Sequence, residues 1–411
     1  DNSLVNMYAK CGVLEKAREV LEEIPVRNVN TWASLIAGYA QLGRCHESMA
    51  SFHQMNGEGI SPDALTFACT LKACATLRAI DEGKCMHAHI RTQKAWLEKD
   101  LIVGTAMVRT YTKCGNLEEA RKVFDNLLDK DIVLWNTMIS GYIPCGENDR
   151  ALHLYDRMME EGMIPNRITF SNLLNVCASE CTLAKGKQMH ALFATSIIET
   201  DIIVVSALVN MYGKCGEVSS AFVAFGKLSK HDHFSWNALI VAYVQAGRGE
   251  DALKVFHQMV CEGVIPDKVT FSSILSVCSS PEYIDKGREL HVQIRGSCID
   301  LDQVVGNALM TMYGKCDSID DSLKSFYYMQ ELNDVSFIAI LSICANQVAL
   351  EEGMKLHAIM VESGLEPMIM STNALLNMYG KCGSIVDAQV MFDKMLKRDL
   401  VSWNILISTY S

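Results

Sequence analysis

The 411 residues include 16 cysteines, yet no two of them are separated by just two positions. Without a Cys-x-x-Cys pair, a finger-type zinc site has no starting point. Long apolar runs are missing as well. Ala238-Leu239-Ile240-Val241-Ala242-Tyr243-Val244 is among the longest, and it is far too short to span a bilayer, so no membrane partner is expected. Basic charge is not in excess: 37 Lys and Arg stand against 48 Asp and Glu, a formal net charge of −11. That sign argues against a generic nucleic-acid binder, because phosphate binding draws on basic patches. No targeting segment is visible. The chain opens on Asp1 and closes on Ser411, each inside a repeat, so a piece of a longer protein is expected. No nucleophile triad, phosphate loop or carboxylate pair emerges. We expect no catalysis, cofactor, metal or small-molecule substrate in this segment.

What is present is a recurring stretch. Met7-Tyr8-Ala9-Lys10-Cys11-Gly12 returns as Tyr111-Thr112-Lys113-Cys114-Gly115 and Met211-Tyr212-Gly213-Lys214-Cys215-Gly216. Met312-Tyr313-Gly314-Lys315-Cys316-Asp317 and Met378-Tyr379-Gly380-Lys381-Cys382-Gly383 follow. From Cys11 to Cys114, Cys215, Cys316 and Cys382 the steps are 103, 101, 101 and 66 residues. A fixed period of this kind means a repeat array. Cys74, Cys177, Cys278 and Cys344 recur at a second phase. Widely spaced, periodic cysteines are read as small buried apolar residues in a reducing compartment.

The long period is composite. Segments from Val29, Ile132 and His233 run 35 residues and carry Trp32, Trp135 and Trp236; the one from Leu400 carries Trp403. Segments from Ala64, Arg167 and Lys268 run 37, 35 and 35 and carry Phe67, Phe170 and Phe271. Segments from Leu101, Ile202, Gln303 and Ile369 run 31 and hold the Lys-Cys stretch. The final step of 66 lacks one segment, and 334–368 fills the gap as a hybrid.

Each segment reads as two helices. Trp236, Leu239, Ile240 and Tyr243 form one helical stripe; after Gly247, Ala252, Phe256 and Met259 form a second. Pro266 then blocks continuation. These aromatic and Met stripes are core rather than a cofactor box. Small residues such as Ala252 imply close approach of the paired helices. Stacked hairpins of 31 to 37 residues predict an all-α fold, a right-handed α-solenoid superhelix of helix-turn-helix units.

Three lines carry a resemblance. Asp131-Ile132-Val133-Leu134-Trp135-Asn136-Thr137-Met138-Ile139-Ser140-Gly141-Tyr142, Glu82-Gly83-Lys84-Cys85-Met86-His87 and Asn373-Ala374-Leu375-Leu376-Asn377-Met378-Tyr379-Gly380-Lys381-Cys382-Gly383 are similar to the three unit types of the pentatricopeptide repeat family, PLS subclass. The resemblance covers essentially the whole chain. It implies a single array: 1–28 short and partial, 29–63 standard, 64–100 long, 101–131 short, 132–166 standard, 167–201 long, 202–232 short, 233–267 standard, 268–302 long, 303–333 short, 334–368 hybrid, 369–399 short, and 400–411 standard and partial. A tetratricopeptide array is the nearest rival, but its Trp-x-x-Leu-Gly-x-x-Tyr pattern is absent.

The family is known for binding single-stranded RNA, one base per unit, and the residues agree with that. In each unit the second and fifth residues share a helix face, and the last lies just before the next helix. The second is mostly bulky and apolar, as at Ile102, Val133, Ile203, Phe234, Val304 and Val401, which suits a wedge against base faces. The fifth is usually Asn, Ser or Thr and the last Asp or Asn, short polar groups able to read a base edge. Helix capping alone explains the last residue, but not a recurrent Asn inside the helix. The pairing rules that the resemblance implies give a pyrimidine for Asn2 with Asn28, Asn136 with Asn166, and Asn307 with Asn333. Guanine follows for Thr105 with Asp131 and for Ser206 with Asp232. Uracil follows for Asn237 with Asp267 and for Asn373 with Asp399. Ala33 with Asp63 departs from the rules, Asn30 breaks the wedge, and Asn404 lacks its partner. No base is assigned to the long units, and a gap is expected at Ile338 and Met368.

Lys10, Lys113, Lys214, Lys315 and Lys381 lie near the end of first helices. They face the RNA backbone, or they complement the helix dipole; both readings stand. Acidic residues such as Glu118, Glu119, Asp320 and Asp321 fall on second helices. Members of this subclass often act as specificity factors for C-to-U RNA editing in mitochondria or plastids, working with other editing-complex proteins. Some carry a C-terminal zinc deaminase-like domain, marked by His-x-Glu and Pro-Cys-x-x-Cys. No histidine here has Glu two residues on, and Pro144-Cys145-Gly146-Glu147-Asn148 begins like the second half and fails. His87, His190, His291 and His357 recur at one phase and are expected to be a packing or surface feature. The competing function class is a protein-interaction scaffold of the same fold.

Overall fold

A computed structural model describes residues 2–194, 200–228, 230–296, 302–329, 332–363, 368–395 and 397–410. Among these residues there are 25 α-helices and no strand. The chain divides into two compact units, Asp1–Met211 and Tyr212–Ser411, and each is a stretch of α-solenoid. In the first, helix Val29–Gln41 packs on its own partner Cys45–Gly57, on the preceding first helix Asn2–Lys10 and on the following one, Ala64–Leu77. In the second, His233–Gln245 packs in the same way on Gly249–Cys261 and Lys268–Val277.

Helix starts follow from short polar residues. Asn28, Asp63, Asp131, Asn166, Asp232, Asp267, Asn333 and Asp399 are extended, and each side chain accepts the backbone N–H three residues on. Such a cap is worth about 1 kcal/mol. Val29, Ala64, Leu101, Ile132, Arg167, Ile202, His233, Lys268, Gln303, Asp334, Ile369 and Leu400 each open a helix. Met368 precedes its helix without a side-chain cap. Helix ends use the Lys-Cys-Gly stretch: Gly12, Gly115, Gly216 and Gly383 have φ between 76° and 79°. Asp317 fills the same place at φ 57°, a conformation that Asp tolerates better than most residues.

The third residue of the recurring stretch sets how closely the first helix of a Lys-Cys unit approaches the first helix of the next unit. Ala9, Thr112, Gly213, Gly314 and Gly380 meet, 29 residues later, Gly38, Gly141, Ala242, Ile343 and Thr409. In every pair one partner is glycine and the other carries a side chain. A Cβ added at Gly213 would sit 2.5 Å from Ala242 Cβ and 3.2 Å from its Cα.

A second contact fastens long-type units to the short units that follow. His87 Nδ1 lies 2.8 Å from the Tyr111 hydroxyl, and His291 and His357 lie 2.9 Å from those of Tyr313 and Tyr379. One helical turn earlier, Gly287 and Gly353 leave room for Met312 and Met378. The recurrent histidines are therefore a packing device. Burial, helped by Lys394 and opposed by Asp387, pushes the His357 imidazole below its usual value, so this contact uses the neutral ring.

The cysteine expectation needs correction at one phase. Cys74, Cys177, Cys278 and Cys344 are fully buried. Burial pushes Cys74 and Cys344 up to about 12 and Cys278 up to about 11, so these thiols stay protonated. The Lys-Cys cysteines are not core: Cys11 is exposed, and Cys114, Cys215, Cys316 and Cys382 are half-buried. They stand where the helix ends and the chain turns outward; the Cys316 thiol donates to the Cys278 carbonyl at 3.6 Å. Trp32, Trp135 and Trp236 are buried as expected. Trp403 is 51% exposed, because no second helix covers it among the described residues.

The glycine contact yields a test. Gly213→Ala forces two backbones apart and is expected to cost about 1–3 kcal/mol in denaturant unfolding, as overpacking does. Adding Ala242→Gly should restore most of that loss, since the two sites are directly coupled.

Candidate single-strand nucleic-acid interface

The second residue of each unit is apolar and exposed almost throughout. Leu65, Ile102, Val133, Ile168 and Ile203 in the first unit are 47–62% exposed. Phe234, Val269, Val304, Val335, Met370 and Val401 in the second are 45–65% exposed. Water-facing side chains of this kind at one register position of successive helices form a ladder of apolar surface. Asn30 interrupts it.

Beside the ladder stand the fifth and last residues. Asn237 Nδ2 donates to Asp267 Oδ1 at 3.0 Å, and the Thr270 hydroxyl sits 2.5 Å from Asn237 Oδ1 and 2.9 Å from Asp267 Oδ1. Asn136 and Asn166 form the same triangle with Thr169, with Asn136 Nδ2 donating to Asn166 Oδ1 at 3.1 Å. Asn373, Asp399 and Ser402 repeat it. Asn307 and Asn333 are brought together through the Ser336 hydroxyl, at 3.0 and 3.1 Å. The third-residue hydroxyls were not singled out in the sequence, although Ser or Thr recurs three positions after the last residue. Thr31, Thr66, Thr169, Ser235, Thr270, Ser336 and Ser402 are fully buried. Thr169, Thr270, Ser336 and Ser402 touch both members of their polar pair and fix its orientation, while Thr31, Thr66 and Ser235 bond the cap residue alone.

Where the fifth residue is Thr or Ser, the hydroxyl turns inward instead. Thr105 Oγ1 donates to the Leu101 carbonyl, and Ser206 Oγ to that of Ile202, each at 2.7 Å. Their oxygens are left as acceptors. Asp131 and Asp232 cap the helices that follow. Asn28 caps through Thr31 N at 3.1 Å, while Asn2 and Asn404 are exposed. Ile338 and Met368 offer no polar side-chain group.

Burial raises the Asp267 carboxyl, but bonds from the Thr270 N–H, the Thr270 hydroxyl and the Asn237 amide outweigh it and hold it below the usual carboxylate range. Asp399 is lowered in the same way by Ser402 and Asn373. Both are ionised acceptors at neutral pH.

One slot is visible as a groove of about 430 Å³. Asn30, Ala33, Asp63 and Leu65 line it: the second, fifth and last residues of one unit and the second of the next. Lys10 lines it too. Lys113, Lys214, Lys315 and Lys381 are exposed in the last turns of their helices. Acidic groups on second helices are paired with cations on neighbouring second helices: Arg150 with Glu118 at 3.1 Å, Arg157 with Asp125 at 2.7 Å and Lys286 with Glu250 at 3.4 Å. Each of these pairs is neutral, and all lie on second helices, whereas the groove is lined by first-helix residues and the unit-end Asp63.

Comparison with known proteins decides the family. The PPR repeat family matches residues 130–179 and 231–280, and the pentatricopeptide repeat domain matches 26–76 and 330–382. A PPR repeat matches 2–29, 105–132, 203–233 and 370–400. The chain belongs to the pentatricopeptide repeat family. Among its relatives in Arabidopsis thaliana, pentatricopeptide repeat-containing protein At5g27110 is 31% identical across 94% of this chain and 61% of its own length. Protein At4g14850 is 31% identical across 98% of this chain and 65% of its own. The chain therefore spans less than two thirds of either relative. Others carry "mitochondrial" or "chloroplastic" in their names. The crystal structure of the pentatricopeptide repeat protein PPR10 from maize superposes with a TM-score of 0.59 at 18% identity, covering all of this chain and 70% of that one, which shows a shared fold.

In this pentatricopeptide repeat chain the buried hydroxyl is the least expected part of the site. Thr270→Val keeps the shape but leaves Asn237 Oδ1 and Asp267 Oδ1 short of a donor. It is expected to lower stability by about 1–2 kcal/mol in chemical denaturation.

Proposed function

We propose that the chain binds single-stranded RNA base by base, with each base wedged between successive second-position apolar residues and read by the fifth and last residues. The observation that carries this is the exposed apolar ladder beside oriented polar pairs. Stacking against such residues is sequence-tolerant and is worth about 1–3 kcal/mol per base where the residue is aromatic. The polar pairs then supply choice.

Hydrogen-bond inventory supports the base assignments. At Asn237 and Asp267 all protein bonds to the carboxylate fall on Oδ1. Oδ2 remains as an acceptor and Asn237 keeps one N–H, matching the N3–H and a carbonyl of uracil. Asn373 with Asp399 is the same. At Asn136 and Asn166 the carbonyl oxygens take the protein bonds and N–H groups remain, which suits a pyrimidine. Asn307 with Asn333 and Asn2 with Asn28 have the same residue types. Thr105 with Asp131 is an acceptor-only slot, fitted to the N1–H and N2–H of guanine, and Ser206 with Asp232 has the same chemistry. Ala33 with Asp63 is left without an assignment, and Ile338 with Met368 leaves a gap in readout.

On this reading the protein is a PLS-type specificity factor for C-to-U RNA editing or related RNA processing in mitochondria or chloroplasts. Its partners are a single-stranded organellar RNA and other editing-complex proteins. Selection from a randomised RNA pool tests the core of this. Enriched RNAs should carry guanine opposite Thr105/Asp131 and uracil opposite Asn237/Asp267; unrelated motifs would refute the base assignments, and no enrichment at all would leave a protein-interaction scaffold. Asp267→Asn replaces an acceptor with a donor and should move that position from uracil to cytosine by about tenfold. Because the folded carboxyl is held below the ordinary Asp value of about 3.9, its acceptor role is present above that value and is lost only as pH falls through the lower one. The wild-type uracil preference should therefore be unchanged from pH 8 to pH 5.

Charge gives a separate check. If all five lysines meet phosphates, log affinity should fall against log salt with a slope no steeper than about −3.5. A slope near −7 in a salt titration would place the binding charge elsewhere.

A further inference from the structure

The first residue of a unit is cationic in two of the twelve whose first residue lies in the described chain, Arg167 and Lys268, and both units are long. In each, that cation meets the last residue of its own unit. Lys268 Nζ lies 3.4 Å from Asp302 Oδ2, and Arg167 Nη1 lies 3.5 Å from Asp201 Oδ2. The other oxygen is already engaged: Asp302 Oδ1 accepts Val304 N–H at 2.8 Å, and Asp201 Oδ1 accepts Ile203 N–H at 3.0 Å. Among the described residues no such cation meets the last-position carboxylate of Asp63, Asp131, Asp267 or Asp399. The third long unit is an internal contrast, with Ala64 in first place and Asp100 without the pair.

The fifth residues of the two paired units are Ser171 and Ser272, one helical turn past the cation and on its face. Ser272 Oγ donates to the Val269 carbonyl at 3.1 Å, which leaves its oxygen as an acceptor. Ser with Asp is the acceptor-only chemistry assigned to guanine above. With the cation present the slot differs. A base offering N–H must displace an ammonium or guanidinium from Oδ2, while a base offering a lone pair can take an N–H of that same flexible cation. Lys268 and Arg167 are 56% and 59% exposed, and an exposed pair of this kind can be exchanged for a bond to a base.

We infer that Arg167 and Lys268 are specificity-determining residues, and that each masks a latent guanine reader so that its long unit accepts any base. This rests on the RNA-binding reading above. It makes the silence of these two slots a property of one side chain rather than of long-unit geometry.

Pool selection on the full chain tests it, comparing wild type with Lys268→Ala, Lys268→Gln and Arg167→Ala. The register is internal, since the Lys268 slot lies between the positions read by Asn237/Asp267 and Asn307/Asn333. Wild type should show no enrichment at that position. Lys268→Ala and Lys268→Gln should each raise guanine there by about tenfold with other positions unchanged, and Arg167→Ala should do the same at its own slot. In the reverse direction, Leu101→Lys should abolish the guanine preference of Thr105/Asp131. If Thr105/Asp131 selects guanine in the wild type but neither the Lys268 variants nor Arg167→Ala gain it, the inference is overturned and the RNA reading stands. If Thr105/Asp131 selects nothing, both fall.

Discussion

Where a Lys-Cys unit meets the unit after it, the two first helices touch through one small contact, and their spacing depends on it. Gly213 against Ala242, Gly314 against Ile343 and Thr112 against Gly141 are versions of a single arrangement in which one side chain fits where the other helix has none. Two side chains would push the helices apart, and two glycines would leave a void at a packed seam. The distance between neighbouring base slots is inherited from this contact, because the second, fifth and last residues all ride on the same helices. Glycine therefore moves between the partners, while the residue it faces ranges from Ala to Ile.

The long-type units add a second constraint with a different chemistry. Their second helices present glycine and, a turn later, histidine to the following short unit. The bond from His291 to Tyr313 and that from His357 to Tyr379 have the same length. The 334–368 segment begins like a standard unit but makes this long-type bond, so its two helices follow different rules. Its second helix carries the glycine and histidine of the long-type contact, while Ile338 and Met368 carry no polar side-chain group.

Much of this was legible in the sequence, and for physical reasons. Helix starts at Val29 or His233 are marked by a cap residue and a 3.6-residue apolar stripe, both local signals. The repeat also fixes the register of the candidate pairs, and four of them, such as Asn237 with Asp267, stand in direct or hydroxyl-bridged contact. The errors and omissions lie where two residues far apart in sequence share one job. The Lys-Cys cysteines are expected in the core, but a residue at the helix end is covered on one side only: Cys11 is exposed, and Cys114, Cys215, Cys316 and Cys382 are half-buried. The Thr270 hydroxyl was passed over because a cap position accounts for Ser or Thr without calling on Asn237, 33 residues away. The Gly213 and Ala242 complementarity is invisible one residue at a time and appears only when both ends of the 29-residue contact are set side by side.

Where the last residue is Asp or Asn, its two terminal atoms have different surroundings. One oxygen caps the next helix, and the other terminal atom faces the groove, as oxygen in Asp267 and as nitrogen in Asn166. Asn and Asp are nearly equal as caps, so exchanging them leaves the helix start intact while inverting what the groove offers a base. On the proposed reading, folding and base choice share a residue without sharing an atom. The same separation holds at Lys268 and Arg167, whose cations touch only the groove-side oxygen and leave the capping oxygen to Val304 and Ile203. On the proposed reading, an array built this way can change which bases it accepts, unit by unit, at little cost to the stack that carries it.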